Sequence, residues 1–252
     1  VAPSFEGDEV AAHEWLRPRD ALAGMADGRL VLWLPTSTTL QQIEHVADFD
    51  DICRRLAPGP LGEVSVDPVA DGVTRIVMPA GGGVAGQPVN AYLVGHRRFV
   101  LVDPGDPTGP ALDRAVALAA ERAGTIEAIA LTHADPDHHA GAEALGERLG
   151  IPVIAGGEAR RSLPYAIREA ADLEILEYGD VHLTVIRTPG VRPDHRVFLV
   201  GDGAAIITGD VDGVRGARSI VGPVDQAALA ASRERLDRLA PRATRLPGHD
   251  PV

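Results

Sequence analysis

The feature that most constrains this chain is an apolar stretch running straight into a cluster of histidines and aspartates. Positions 129–141 read IALTHADPDHHAG, so His133, Asp135, Asp137 and His138 fall within six residues, just ahead of small residues that open a helix. A turn of this kind lets alternate side chains point at one locus, and aspartates packed this tightly repel one another unless a cation sits between them. Neutral imidazoles mixed with carboxylates suit zinc, iron or manganese. Three later segments share the form, an apolar strand delivering a polar residue from its end: IRTPGVRPDH at 186–195, IITGDVDG at 206–213 and RLPGHD at 245–250. A solvated acidic turn would not be matched by three further segments built alike.

Around these segments, short apolar runs alternate with glycine and proline turns. Strands are expected at Val73–Met78, Asn90–Val94, Phe99–Asp103, Ile126–Thr132, Pro152–Ala155, Val181–Arg187, Arg196–Val200, Ala204–Thr208 and Ala243–Leu246. Helices are expected at Ala111–Ala123, Gly141–Leu149, Glu158–Ser162 and Asp225–Leu239. Many short strands with helices between them imply an α/β chain of packed sheets covered by helices. Residues 1–56 have a different texture. They hold both tryptophans and read as a small α+β segment: a strand at 8–16, a helix at 20–25, a strand at 30–34, then one or two amphipathic helices over 36–55. Residues 57–72, with Pro58, Pro60 and Pro68, read as a linker, and 73–252 as the main domain.

Composition removes several chemistries. All 24 basic residues are arginine, so Schiff-base, pyridoxal-phosphate and P-loop lysines are excluded. A net charge of −12 disfavours long-range attraction to a polyanion, so nucleic acid is not the default partner. Cys53 is the single cysteine, which excludes an intramolecular disulfide and a cysteine-rich zinc knuckle and fits a reducing, cytoplasmic setting. No apolar run approaches the roughly 18 residues of a spanning helix, and no targeting segment is visible, so no membrane partner is expected. The first residue is Val1 rather than Met, from which a processed N-terminus or an upstream segment is expected. At this length a core needs no structural metal, so a metal site would be functional.

The ordered segments resemble the metallo-β-lactamase superfamily, whose signature is T-H-x-H-x-D-H, then T-P-G-H, then G-D, then P-G-H. The likeness covers residues from about 73 to 250. It implies an αββα sandwich with one or two divalent metals, zinc first and iron or manganese as competitors, in a groove at the sheet edges. Carried over residue by residue, it assigns His133, Asp137, His138, Asp210 and His249 as metal ligands and Asp103 as an aspartate behind them. Two positions depart from the pattern on one metal site. Asp135 stands where the second histidine of the loop is expected, and Val191 where the histidine of T-P-G-H is expected. THADPDH is similar to the H-x-E-x-D-H loop of the flavodiiron branch, which keeps Asp135 as a further candidate ligand. His195, four residues beyond Val191, holds a position that is usually not a ligand. Residues 13–43 resemble the closing strand and helix of Nudix hydrolases, without the Nudix box, which implies an upstream Nudix domain in the same polypeptide.

Two functions follow as expectations. In the first, a metal-activated water attacks an ester, thioester, amide or phosphodiester of a small or anionic substrate, with Asp135 and Asp137 as the carboxylates at the reacting water. In the second, a lactamase-fold module that has lost its first site, with a groove made apolar by Val191, serves binding or regulation beside the Nudix domain. Arg160, Arg161, Arg192, Arg215 and Arg218 could receive an anion, although solvated surface is the plainer reading. The loop at Gly81–Gly83 is expected at the groove edge. His139, His13, His45, His96 and His182 read as packing or exposed residues.

Overall fold

The computed structural model describes residues 15–30, 36, 40, 43–44, 64–78, 88–106, 109–212 and 223–249. The chain divides into two units, Val1–Pro58 and Gly59–Val252. In the first unit helix α1 spans Pro18–Ala26, with proline in its first turn, where a missing N–H costs nothing. It buries Ala21 and Gly24, and Asp27 beyond its end is paired with Arg29. Cys53, His13, His45, Gly81–Gly83, Arg215 and Arg218, with most of the strands expected at 8–16 and 30–34, lie outside the described residues.

Among the described residues, the second unit contains two sheets. The first holds β1 (Val66–Ala70), β2 (Val73–Met78), β3 (Val89–Val94), β4 (Arg98–Val102), β5 (Thr125–Ala130), β6 (Val153–Ala155) and β7 (Arg168–Glu169), side by side in chain order. Strands β1 to β4 pair antiparallel and β4 to β7 parallel. Parallel neighbours need a crossover. Helix α2 (Pro110–Glu121) supplies it between β4 and β5, and helices α3 (Pro136–His139) and α4 (Ala142–Leu149) between β5 and β6. The second sheet runs β12 (Thr244–Pro247), β11 (Ala205–Gly209), β10 (Arg196–Val200), β9 (Leu183–Arg187), β8 (Ile175–Leu176). Only its β11–β12 pair is parallel, and helix α5 (Gln226–Leu239) makes that crossover.

Side-chain alternation along the strands sorts the apolar residues into three layers. Ala91 and Leu93 of β3 and Phe99 and Leu101 of β4 face α2 and α4, packing with Leu112, Ala115 and Leu145. Tyr92, Val94, Val100 and Val102 face the other way and meet Val185, Phe198, Val200 and Ile207 of the second sheet. Ile186, Val197 and Ile206 form the outer face of that sheet under Leu229 and Leu236 of α5. The result is the expected αββα sandwich.

The expected linker is corrected at its end. Val66–Ala70 is an edge strand, joined to β2 by a turn in which Gly72 takes φ +65°. Pro68 misled the reading because proline is tolerated on an edge strand, where its missing N–H leaves no ladder bond broken. Strands β7 and β8 have two residues each, too few for a periodic signal.

Candidate metal centre

The candidate ligands follow the C-terminal ends of strands, Asp137 and His138 on the short helix α3 beyond β5, and neighbouring polar groups fix their orientation. Asp103 follows β4 with φ +52°, an unusual backbone for a side chain with a Cβ. Its carboxylate accepts the Thr132 N–H at 2.7 Å and the Thr132 hydroxyl at 2.6 Å, tying the end of β4 to the end of β5. The same carboxylate lies 2.9 Å from His138 Nδ1, which donates to it and leaves Nε2 bare. The Thr132 hydroxyl proton is spent on Asp103, so His133 Nδ1, 3.0 Å away, is the donor in that contact. His133 Nε2 is therefore also bare. His249 Nδ1 donates to the Pro88 carbonyl at 2.8 Å, and its Nε2 is freed in turn.

The freed atoms converge. His249 Nε2 lies 3.3 Å from Asp137 Oδ2 and 3.6 Å from Asp210 Oδ1, while His138 Nε2 lies 3.4 Å from Asp210 Oδ1 and 3.9 Å from Asp137 Oδ2. Ligands around one ion at bond lengths of roughly 2.0–2.2 Å stand about 3.3–3.6 Å apart, close to most of these spacings, and Asp137, His138 and His249 form one group of donors that could hold a divalent ion. His138 Nε2, His133 Nε2, Asp137 Oδ1 and Asp210 Oδ1 are buried and make no hydrogen bond among the described residues, a state that buried polar groups avoid unless something else satisfies them. His133 shares a second donor group with His138 and Asp210, whose ligand atoms all lie within 4.8 Å of one another. Gly248 completes the cradle, since a Cβ there would stand 2.7 Å from His138 Cε1 and 2.8 Å from Asp210 Oδ1. The Asn90 side-chain amide and the Tyr92 hydroxyl hold the preceding Pro247 carbonyl at 3.1 and 2.6 Å.

Ionisation follows from this crowding. Burial opposes charge on Asp137 and Asp210, but the imidazoles outweigh it, chiefly His138, and hold both carboxyls below their ordinary pKa, Asp210 far below. Burial likewise opposes a charged His138, yet Asp137, Asp210 and Asp103 overcome it and push its pKa well up. His249 is raised against its burial by Asp137 and Asp210. Without a cation, protons on these imidazoles balance the carboxylates. A divalent ion does the same work.

The other candidates separate from this group. Val191 does not line the site. It is buried in the outer layer among Ile186, Val197 and Leu229, which corrects the expectation of an apolar groove. Its turn is pressed against α5, where a Cβ on Gly190 would meet the Leu229 backbone at 2.5 Å. Asp135 is buried, with Oδ2 3.6 Å from His133 Nε2 and Oδ1 3.2 Å from Arg192 Nη1. Arg192 is thus no solvated surface residue, since its side chain is only 12% exposed. Of the other arginines, Arg160 is paired with Glu169 and Arg161 is exposed.

Sequence reasoning missed Asp194 and undervalued His195. Asp194 accepts the Ala134 N–H at 2.8 Å and Arg192 Nε at 3.1 Å, bracing the ligand loop from the second sheet. His195 is buried with its ring stacked on that of His133, centroids 5.0 Å apart. Its Nδ1 meets the Thr188 hydroxyl at 2.9 Å, and its Nε2 accepts the Asp210 N–H at 3.4 Å. Burial and the neighbouring His133 push its pKa well down, so the ring stays neutral and positions Asp210. The D-H pair at 194–195, directly before a strand, was the available signal.

Comparison with known proteins agrees with this geometry. The chain is 29% identical over 161 residues to hydroxyacylglutathione hydrolase of Acidiphilium cryptum, covering 64% of this chain and 63% of that protein. It is 27% identical over 157 residues to atrochrysone carboxyl ACP thioesterase of Aspergillus chevalieri, covering 62% of this chain and 49% of that one. The chain therefore spans about half to two thirds of the length of these relatives. The crystal structure of TTHA1623 in a di-iron-bound form superposes with a TM-score of 0.56 at 29% identity, over 69% of this chain and 93% of that one. The family model of the metallo-beta-lactamase superfamily matches residues 84–249. That match takes in every donor of the cluster, and the chain belongs to the metallo-β-lactamase superfamily.

Proposed function

We propose that the chain is a metal-dependent acyl hydrolase, cleaving an ester or thioester with one divalent ion held by Asp137, His138, Asp210 and His249. The observation that carries this is that His138 Nε2 and His249 Nε2 each lie 3.3–3.9 Å from carboxylate oxygens of both Asp137 and Asp210. The acyl class draws on relatives named as a thioesterase and as hydroxyacylglutathione hydrolases. The ion supplies Lewis acidity when bound, polarising a carbonyl and acidifying water.

The chain's own residues do the rest. Asp103, through His138, and Pro88, through His249, fix the ligand tautomers. Asp135, fixed at Oδ1 by Arg192, keeps Oδ2 beside His133 and takes the proton of the attacking water there. His195 holds the backbone that carries Asp210. The alternative of a non-catalytic module rests on the missing first-site imidazoles, and Val191, packed in the outer core, supplies none.

The test is metal content and turnover, measured on the protein and on Asp210→Asn with thioester, ester and phosphodiester substrates. Metal retention with thioester or ester turnover, both lost in the variant, is the expected result. Turnover of the phosphodiester alone, or a metal-loaded protein inert to all three, would overturn the acyl reading.

A further inference from the structure

Resting on that single-ion reading, we propose that Arg192 stands in for a first metal ion: its guanidinium supplies the positive charge there, excludes a second ion and receives the acyl oxygen of the substrate. A related structure holds two irons, so a second ion is the natural comparison. Here the donors that converge on that side, His133, His138 and Asp210, share His138 and Asp210 with the proposed ion. Of the side chains on that side of Asp210, His133 and Asp135 remain, while Val191 is turned into the outer core. The loop that carries Val191 instead presents the next residue. Arg192 Nη1 lies 3.2 Å from Asp135 Oδ1, its Nε lies 3.1 Å from Asp194 Oδ1, and its Nη2 donates to Ser162 Oγ at 2.7 Å.

Two buried carboxylates therefore neutralise one guanidinium, and the loop itself is braced by the Ala134 N–H on Asp194. A divalent ion bonded to Asp135 Oδ2 would stand beside the guanidinium on Oδ1 and place two like charges side by side. A guanidinium also offers what an ion at this place would offer a substrate, a fixed positive charge beside the reacting carbonyl. Of its N–H donors, Arg192 gives Nε to Asp194 and one on Nη2 to Ser162, while Nη1 is ion-paired with Asp135. The Nη1 donors match an oxygen that gains negative charge as water adds to an acyl carbon. No covalent change at Arg192 is involved.

The experiment is zinc saturation followed by removal of loose metal and mass-spectrometric counting, on the protein, Arg192→Met and Arg192→Lys, with thermal melting to confirm folding. The protein should hold about one equivalent and Arg192→Lys the same, while Arg192→Met, with His133, Asp135 and Asp210 released, should rise toward about two. In parallel, kcat of Arg192→Met should fall roughly tenfold or more and recover in part in Arg192→Lys. Two equivalents in the unaltered protein would overturn the inference and leave the hydrolase reading intact. No bound zinc would overturn the single-ion reading itself. One equivalent in a folded Arg192→Met would show that the arginine excludes nothing, and should that variant not fold, the count in the unaltered protein still decides.

Discussion

Asp103 Oδ2 receives the Nδ1 proton of His138 at 2.9 Å while the backbone of Asp103 sits in the left-handed region at φ +52°. An uncommon backbone conformation is thus kept where it aims a carboxylate at the back of a ligand, and the same carboxylate satisfies the Thr132 N–H and hydroxyl. Asp103→Asn keeps an oxygen for one of these contacts and loses the charge that orients the imidazole. Zinc affinity measured by competition with a chromophoric chelator should drop by roughly 10–100-fold. An unchanged affinity would mean that the hydrogen bond to His138 has no bearing on the ion.

Gly248→Ala tests the space at the centre. The added methyl would meet His138 Cε1 at 2.7 Å and Asp210 Oδ1 at 2.8 Å, so the donors must spread. Metal affinity should weaken by roughly tenfold or more, with far-ultraviolet circular dichroism unchanged. Full affinity in a folded variant would show that the four donors are not the ligand set.

His195→Ala removes the acceptor of the Asp210 N–H and the partner of the Thr188 hydroxyl, leaving both groups buried. Stability by urea denaturation should fall by about 1–3 kcal/mol for each polar group left unsatisfied. The metal-loaded form should lose affinity as well. A loss of stability with metal binding unaltered would restrict His195 to packing.

The pH dependence has a defined sign. His138 and His249 carry raised pKa values in the metal-free cluster, opposed by burial and sustained by Asp137, Asp210 and, for His138, Asp103. Their protonated forms stabilise the metal-free fold fully below 6.5, and that contribution is lost as pH rises through the raised values. Melting temperature without metal should therefore decline from pH 6.5 upward. Zinc must displace these protons, so its affinity should climb over the same range, with about one to two protons released per ion near neutrality in calorimetry with buffers of different ionisation enthalpy. Proton-independent binding would refute the assignment.

Much of the second unit was legible because its signals are local. The short apolar runs at Val73–Met78 and Arg196–Val200 gave strand boundaries that the structure shares, and the helices expected at Ala111–Ala123 and Asp225–Leu239 match α2 and α5 within a few residues. The ligand motifs were legible for a related reason, since each is short and tied to a strand end. The fate of Val191 was not, because whether a loop residue faces a site or an outer core depends on how α5 packs, and that contact joins residues 190 and 229. The Arg192 ion pair was hidden likewise. Its partner Asp135 is 57 positions away, and only docking of the two sheets brings them together. Strand β1 was masked by its own proline.

The donors around the centre come from opposite sheets. Asp137 and His138 follow β5 of the first, while Asp210 and His249 follow β11 and β12 of the second. An ion shared among them is a clasp across the layer where Tyr92 and Val100 meet Phe198 and Ile207. Its binding energy is then spent partly on holding the halves together: at a free metal concentration a hundred times its dissociation constant, the closed sandwich gains about 2.7 kcal/mol over the unfolded chain. Chelation should accordingly speed amide hydrogen exchange at the strand ends that carry the candidate ligands before it reaches the middle of either sheet, so that the stability of the second unit becomes a readout of metal supply.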